Sequence, residues 1–143
     1  APDIAMSFAW NSTPNDAGYL GHHYNAGLKK GQGNHGSMSR HEQRCAFIMA
    51  GPKIRQGVLS TTPSGNVDIA PTILRLLGLD APADIDGRAL EEAFVDGPAP
   101  DDVAWSTESH DAERDLAKGT YRQQIMVSKV GHTTYVDEGA AHT

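Results

Sequence analysis

One cysteine, Cys45, is all that the chain contains, which excludes an internal disulfide framework and a cysteine-based zinc knuckle. Basic residues are also scarce, 12 Lys and Arg against 18 Asp and Glu, for a formal charge of -6. Beyond Lys29-Lys30 they form no cluster, so general binding to nucleic acid through phosphate neutralisation is excluded. A phosphate substrate is not, because a bound dication reverses the local field. No apolar run approaches the roughly 18 to 20 residues that cross a bilayer, and the expectation is a chain with no membrane partner. No basic-then-apolar leader opens the sequence, though a piece cut from a longer protein would have lost one.

What is present is 143 residues, enough for one core and short for two ordinary domains. With 15 Gly and 8 Pro at 38% apolar content, the composition fits a loop-rich globular unit. The reading is a single domain, with residues 1–97 forming a sheet, loop and helix segment and residues 98–143 a β-hairpin extension.

Residues 1–10 alternate Ile4, Met6 and Phe8 with Ala5, Ser7 and Ala9, which predicts a strand with one buried face. A strand starting so near residue 1 suggests a chain cut from something longer; the alternative is a native terminus tied into a sheet edge. Residues 11–44 are polar and Gly-rich without periodicity, and a loop of that length is uncommon unless it builds a site. Within it the Ser39 and Glu42 spacing matches a capping box, predicting a short helix just after Met38.

Cys-Ala-Phe-Ile-Met-Ala at 45–50 is continuously apolar and closed by Gly51-Pro52, as in a central strand buried on both faces. Asp68 then reads as the cap of a helix carrying Pro71 in its first turn and ending at Gly78. Its apolar stripe, Ile69, Ile73, Leu76 and Leu77 widened by Ala70 and Leu74, predicts a mostly buried helix. A turn at Asp86-Gly87 precedes a possible short helix over 88–94, and 97–100 reads as a connector. Strand character at 103–109 and 121–130, a turn at Gly131-His132 and a last strand at 133–136 predict an antiparallel hairpin with polar edges.

Of the seven histidines, His22, His23, His110, His132 and His142 read as solvated, being adjacent in a flexible segment or near turns and the terminus. His35 differs, because Gly33-Asn34-His35-Gly36-Ser37 lets the backbone approach an ion or phosphate closely. It also lies just upstream of the apolar run, where α/β enzymes place ligands. By spacing alone this is a weak signal, and a structural turn histidine is the better reading. Asp111, Glu113 and Asp115 read as a solvated acidic turn.

Gly33 to Arg40, Phe47-Ile48-Met49-Ala50-Gly51-Pro52, Gly65-Asn66-Val67-Asp68-Ile69-Ala70-Pro71-Thr72-Ile73-Leu74, Leu77-Gly78 and Asp86-Gly87-Arg88 occur in this order. Together they resemble the C-terminal part of type I phosphodiesterases and nucleotide pyrophosphatases of the alkaline phosphatase superfamily, with echoes in its sulfatases and phosphoglycerate mutases. The resemblance covers about residues 2–88, and residues 121–139 look like the end of some bacterial members. It implies an α/β class: a partial alkaline-phosphatase-like fold, a mixed sheet with flanking helices and the C-terminal antiparallel β hairpin. It also implies that His35 is one ligand of a divalent metal, commonly zinc, acting on a small phosphate-ester substrate. The family's Thr or Ser nucleophile and other metal ligands match nothing here. The expectation is therefore the C-terminal portion of a metal hydrolase, inactive alone, with the isolated chain forming a homodimer or pairing its edge strand. The alternative is a noncatalytic stand-alone binding module on the same scaffold.

Overall fold

In a computed structural model, residues 6–24, 27–29, 32 and 35–142 are described. They form a mixed α/β protein with two antiparallel sheets and few helices. The chain divides into two compact units, one made of Ala1–Cys45, Ser109–Val127 and Val136–Thr143, the other of Ala46–Glu108 and Ser128–Tyr135. No described helix is long and apolar enough to cross a membrane.

In the first unit, strands β1 (Trp10–Pro14) and β2 (Leu20–His23) pair antiparallel, Trp10 opposite His23 and Pro14 opposite Leu20, with an irregularity between Asn11 and Pro14. The expected strand over 1–10 therefore starts only at its last residue: residues 6–9 have no regular structure, and residues 1–5 lie outside the described set. Helix α1 (Arg40–Gln43) begins where the Ser39 signal placed it, and the Ser39 side chain accepts the His41 N–H at 3.2 Å. Glu42 does not close the expected box; its carboxylate takes the Ser37 hydroxyl instead.

The C-terminal sheet runs β3 (Ser106–Leu116), β4 (Gly119–Val130) and β5 (Thr133–His142), ordered β3-β4-β5. The hairpin at Gly131-His132 is as expected, but β5 continues to His142 instead of stopping at Val136. The acidic stretch lies within β3 rather than in a turn, because β4 supplies partners: Gln124 donates to Asp111 and Arg122 pairs with Glu113.

Two expectations fail in the second unit. Residues 45–50 form no strand, and Phe47 and Ile48 are exposed; an apolar run becomes a buried strand only when neighbouring strands satisfy its backbone, and none among the described residues does. Helix α2 (Ile69–Leu77) forms and ends at Gly78, whose left-handed φ is 71°, yet Ile69, Ile73, Leu76 and Leu77 all stay exposed while Pro71 and Thr72 are buried. The stripe reports a capacity for burial, and no described element covers it. The second short helix shrinks to a single 3₁₀ turn at Glu91–Ala93.

The core here is small: Ile54, Leu90, Phe94, Val130 and Tyr135 among apolar residues, with Thr133 and Asp68 as buried as any of them. Ile54 and Phe94 form an isolated antiparallel bridge. The Arg75 guanidinium lies 4.3 Å from the centre of the Phe94 ring while pairing with Glu91 and Asp96, so its charge is neutralised as it covers the aromatic face.

Asp68 corrects a further expectation. It occupies the N-cap position but makes no side-chain bond to the helix. Its carboxylate, 0% exposed, accepts the Gly65 N–H at 2.9 Å, the Arg88 N–H at 2.9 Å and the Tyr135 hydroxyl at 2.9 Å. Gly87 makes the approach possible, since a Cβ there would stand 2.0 Å from the Val67 carbonyl oxygen, far inside any tolerable contact. Removing the carboxylate leaves three donors without an acceptor. Asp68→Ala is expected to cost about 3 kcal/mol or more, and Tyr135→Phe roughly 1.5 to 3 kcal/mol. Urea unfolding of the two variants checks this; losses under about 0.5 kcal/mol would show that the carboxylate is not holding these segments.

Candidate functional site

The loop carrying His35 belongs to the first unit. His35 itself is exposed, and Gly36 after it has φ 93°, a backbone that favours glycine, so the residue type follows from the turn. Beyond it the chain is tied down: Ser37 and Ser39 are buried, the Met38 N–H reaches Ser7 Oγ at 2.9 Å, and the Met38 carbonyl accepts the Gly139 N–H at 2.8 Å. Arg40 forms a two-pronged ion pair with Glu138. The imidazole is thus displayed at the edge of an anchored segment. Gly33 and Asn34 lie outside the described residues.

The same unit gathers side chains that the sequence reading passed over. His41 Nε2 lies 3.0 Å from Ser12 Oγ, and its ring meets Trp10 edge-on at 6.0 Å between centroids. A Cβ on Gly21 would come within 2.9 Å of His41, so the glycine makes room for the ring. Trp10 Nε1 donates to the Gly139 carbonyl at 2.6 Å. Burial raises the Glu42 carboxyl, but bonds from Ser37 and the charge of His23 outweigh it and hold the group below its ordinary range. The available signal was the helix start itself, since Ser39-Arg40-His41-Glu42 had to place His41 and Glu42 on a first turn.

A closed zinc site takes four ligands, typically including several His, Cys, Asp or Glu. Among the described residues no three such side chains converge as a metal site. His35 is chemically suited to a dication, but the residues here do not by themselves fit a complete zinc centre, and no catalytic step is derived through one. His22 reaches the Pro14 carbonyl at 3.1 Å, His23 is half-buried, and His110 and His132 are exposed. The side chain of His142 lies outside the description.

The other polar cluster, in the second unit, is structural in form. Arg88, whose backbone N–H binds Asp68, sends its guanidinium to both Glu92 oxygens at 2.6 and 2.8 Å, to Tyr135 Oη at 3.1 Å and to the Pro63 carbonyl at 3.1 Å. Four of the five N–H groups of the fork find an acceptor in these bonds, and the pair with Glu92 is bidentate. Burial works against the charge on Arg88, yet the Glu92 bonds raise its pKa overall; burial likewise raises Glu92, and Arg88 brings it below its usual value. Its members are largely enclosed and bonded chiefly to one another.

No family model matches the chain, and no solved structure matches it.

Burial, then the Asp68 carboxylate, pushes the Tyr135 hydroxyl up to about 12 against an ordinary 10. Because the folded-state value exceeds the unfolded one, this contribution is fully present below pH 10. It is lost as pH rises toward 12, where the unfolded chain has already released the proton. Tyr135→Phe is expected to flatten that alkaline decline. Denaturant midpoints at pH 9, 10, 11 and 12 check it, and identical slopes for both proteins would contradict the assignment.

Proposed function

We propose that this chain is the C-terminal portion of a metal-dependent phosphodiesterase or nucleotide-pyrophosphatase-like hydrolase, with a partial alkaline-phosphatase-like fold and with His35 as one ligand of its metal centre. The ordered motif set from Gly33 to Arg88 carries the reading. Three observations support it. The imidazole sits exposed on an anchored glycine-flanked turn, the C-terminal sheet is antiparallel, and the motif residues Asp68, Gly87 and Arg88 have a purpose in holding the fold.

A dication held by His35 together with ligands from elsewhere would supply Lewis-acid stabilisation to a phosphoryl group. The part of this chain is to present one imidazole nitrogen from a turn fixed by Met38, Ser39 and Arg40. No residue here matches the nucleophile, so the remaining ligands and the attacking group come from polypeptide outside these 143 residues. The substrate is a small phosphate ester, and zinc is the expected metal.

In the protein as its gene encodes it, His35→Ala is expected to lower metal affinity and hydrolysis of a chromogenic phosphodiester by about 100-fold or more. Metal analysis and steady-state rates check this; unchanged values for both overturn the assignment. The 143-residue chain alone is expected to bind zinc only weakly and to show no turnover. Submicromolar zinc binding by calorimetry would mean that the chain holds a complete site, and would favour a stand-alone binding module.

A further inference from the structure

Strand β1 carries one residue too many for its partner. Asn11 faces His22 and Pro14 faces Leu20, so Ser12 and Thr13 together stand against Gly21 alone. An extra residue of this kind interrupts the ladder and re-aims side chains, and such bulges recur next to active sites. The Asn11 side chain holds the distortion by accepting the Thr13 N–H at 2.9 Å. On the facing strand Gly21 has φ 102°, and a Cβ on it would stand 2.9 Å from His41. The bare glycine thus lets the imidazole lie against the hairpin, where His41 Nε2 and Ser12 Oγ are 3.0 Å apart. Trp10 meets the same ring edge-on, and its indole is itself fixed by the bond to the Gly139 carbonyl.

A serine hydroxyl within hydrogen-bond reach of an imidazole is the arrangement that activates a nucleophile, because the base takes the proton as the oxygen attacks. Ser12 and His41 are both exposed, so an electrophile can reach them. We propose that Ser12 is a reactive nucleophile that accepts the acyl group of a neutral carboxylic ester, with His41 as its general base. The inference stands on the hairpin and α1 alone and is independent of the metal reading at His35. With the ring proton on Nδ1, the Ser12 hydroxyl donates to His41 Nε2 and passes its proton there. Oγ bonds to the acyl carbon, the ester C–O bond breaks, and the departing oxygen keeps the electron pair and takes the proton from His41. The products are acyl-Ser12 and an alcohol or phenol, with protons and charge balanced and no redox partner needed. A neutral donor is specified because the chain carries a formal charge of -6, which repels anions, and the neighbouring Arg40 is engaged by Glu138. An ester with a good leaving group, such as an aryl ester, asks chiefly for proton removal from the attacking oxygen, which is what this pair supplies.

Reaction of the chain with nitrophenyl acetate in the presence of EDTA tests the assignment. The expected result is a burst of one nitrophenol per chain, a first acetyl group gained by intact mass, and peptide mapping that places it on Ser12. Ser12→Ala is expected to abolish the burst, and His41→Gln to slow it by about 100-fold or more. Thermal melts of the two variants separate lost reactivity from lost folding. Ser60, also exposed and accepting the Thr62 N–H at 3.1 Å, is the comparison within the unmodified sequence and is expected to stay free of label, a contrast that holds whether or not a variant folds. Acetylation of Ser60 as fast as of Ser12 overturns the proposal. So does a first acetyl group on a histidine or lysine, or a burst on Ser12 indifferent to His41→Gln in a folded variant.

Discussion

A single carboxylate, that of Asp68, decides how the second unit is held. An ionised group with no exposure is tolerable only when its lone pairs are fully engaged, and here the acceptor gathers backbone N–H groups of Gly65 and Arg88 together with the Tyr135 hydroxyl. These donors come from positions far apart in sequence. The loop before α2, the turn after Asp86-Gly87 and the last strand therefore cannot move independently without stranding a buried charge. A small apolar core gains more from such a constraint than a large one would, since its hydrophobic surplus over chain entropy is slight.

Arg88 extends the same logic outward. Its backbone serves Asp68 while its guanidinium serves Glu92 and Tyr135, so the tyrosine hydroxyl joins both halves of the cluster. Thr72, the polar residue in the middle of α2, belongs to the same economy: its Oγ1 accepts the Leu90 N–H at 3.0 Å. The buried face of α2 is thus chosen by hydrogen bonding, and its apolar stripe faces outward. Polar satisfaction outranks hydrophobic pattern at this helix, where a lost buried partner costs more than an exposed methyl group.

That ranking explains what could be read from residues alone. Local signals survived: Ser39 starts α1, Gly78 stops α2, and Gly131-His132 turns the last hairpin, because caps and turns depend on atoms a few positions apart. Signals that need a partner did not. The apolar run at 45–50 and the stripe of α2 state what each segment prefers against itself, and neither names a neighbour. Asp68 was legible as a helix-start residue, but its acceptors' partners lie as far away as Tyr135, and no periodicity encodes that distance. At the candidate site, the reading placed His35 at a sheet edge just upstream of a buried strand; that strand does not form, and the histidine is exposed in a segment without regular structure. The placing of His41 against Ser12 and Trp10 depends on a hairpin register that the sequence does not spell out.

The residues of the ordered motif set accordingly divide by the work they do. Asp68, Gly87 and Arg88 are required by packing: the first needs donors, the second must lack a Cβ, and the third must supply both a backbone N–H and a fork. These roles are met inside this fold, so the three residues speak to architecture and not to chemistry. His35 differs in placement, its side chain exposed and the glycine after it left-handed. The metal role proposed for the motif set therefore rests on His35 and not on these packing residues.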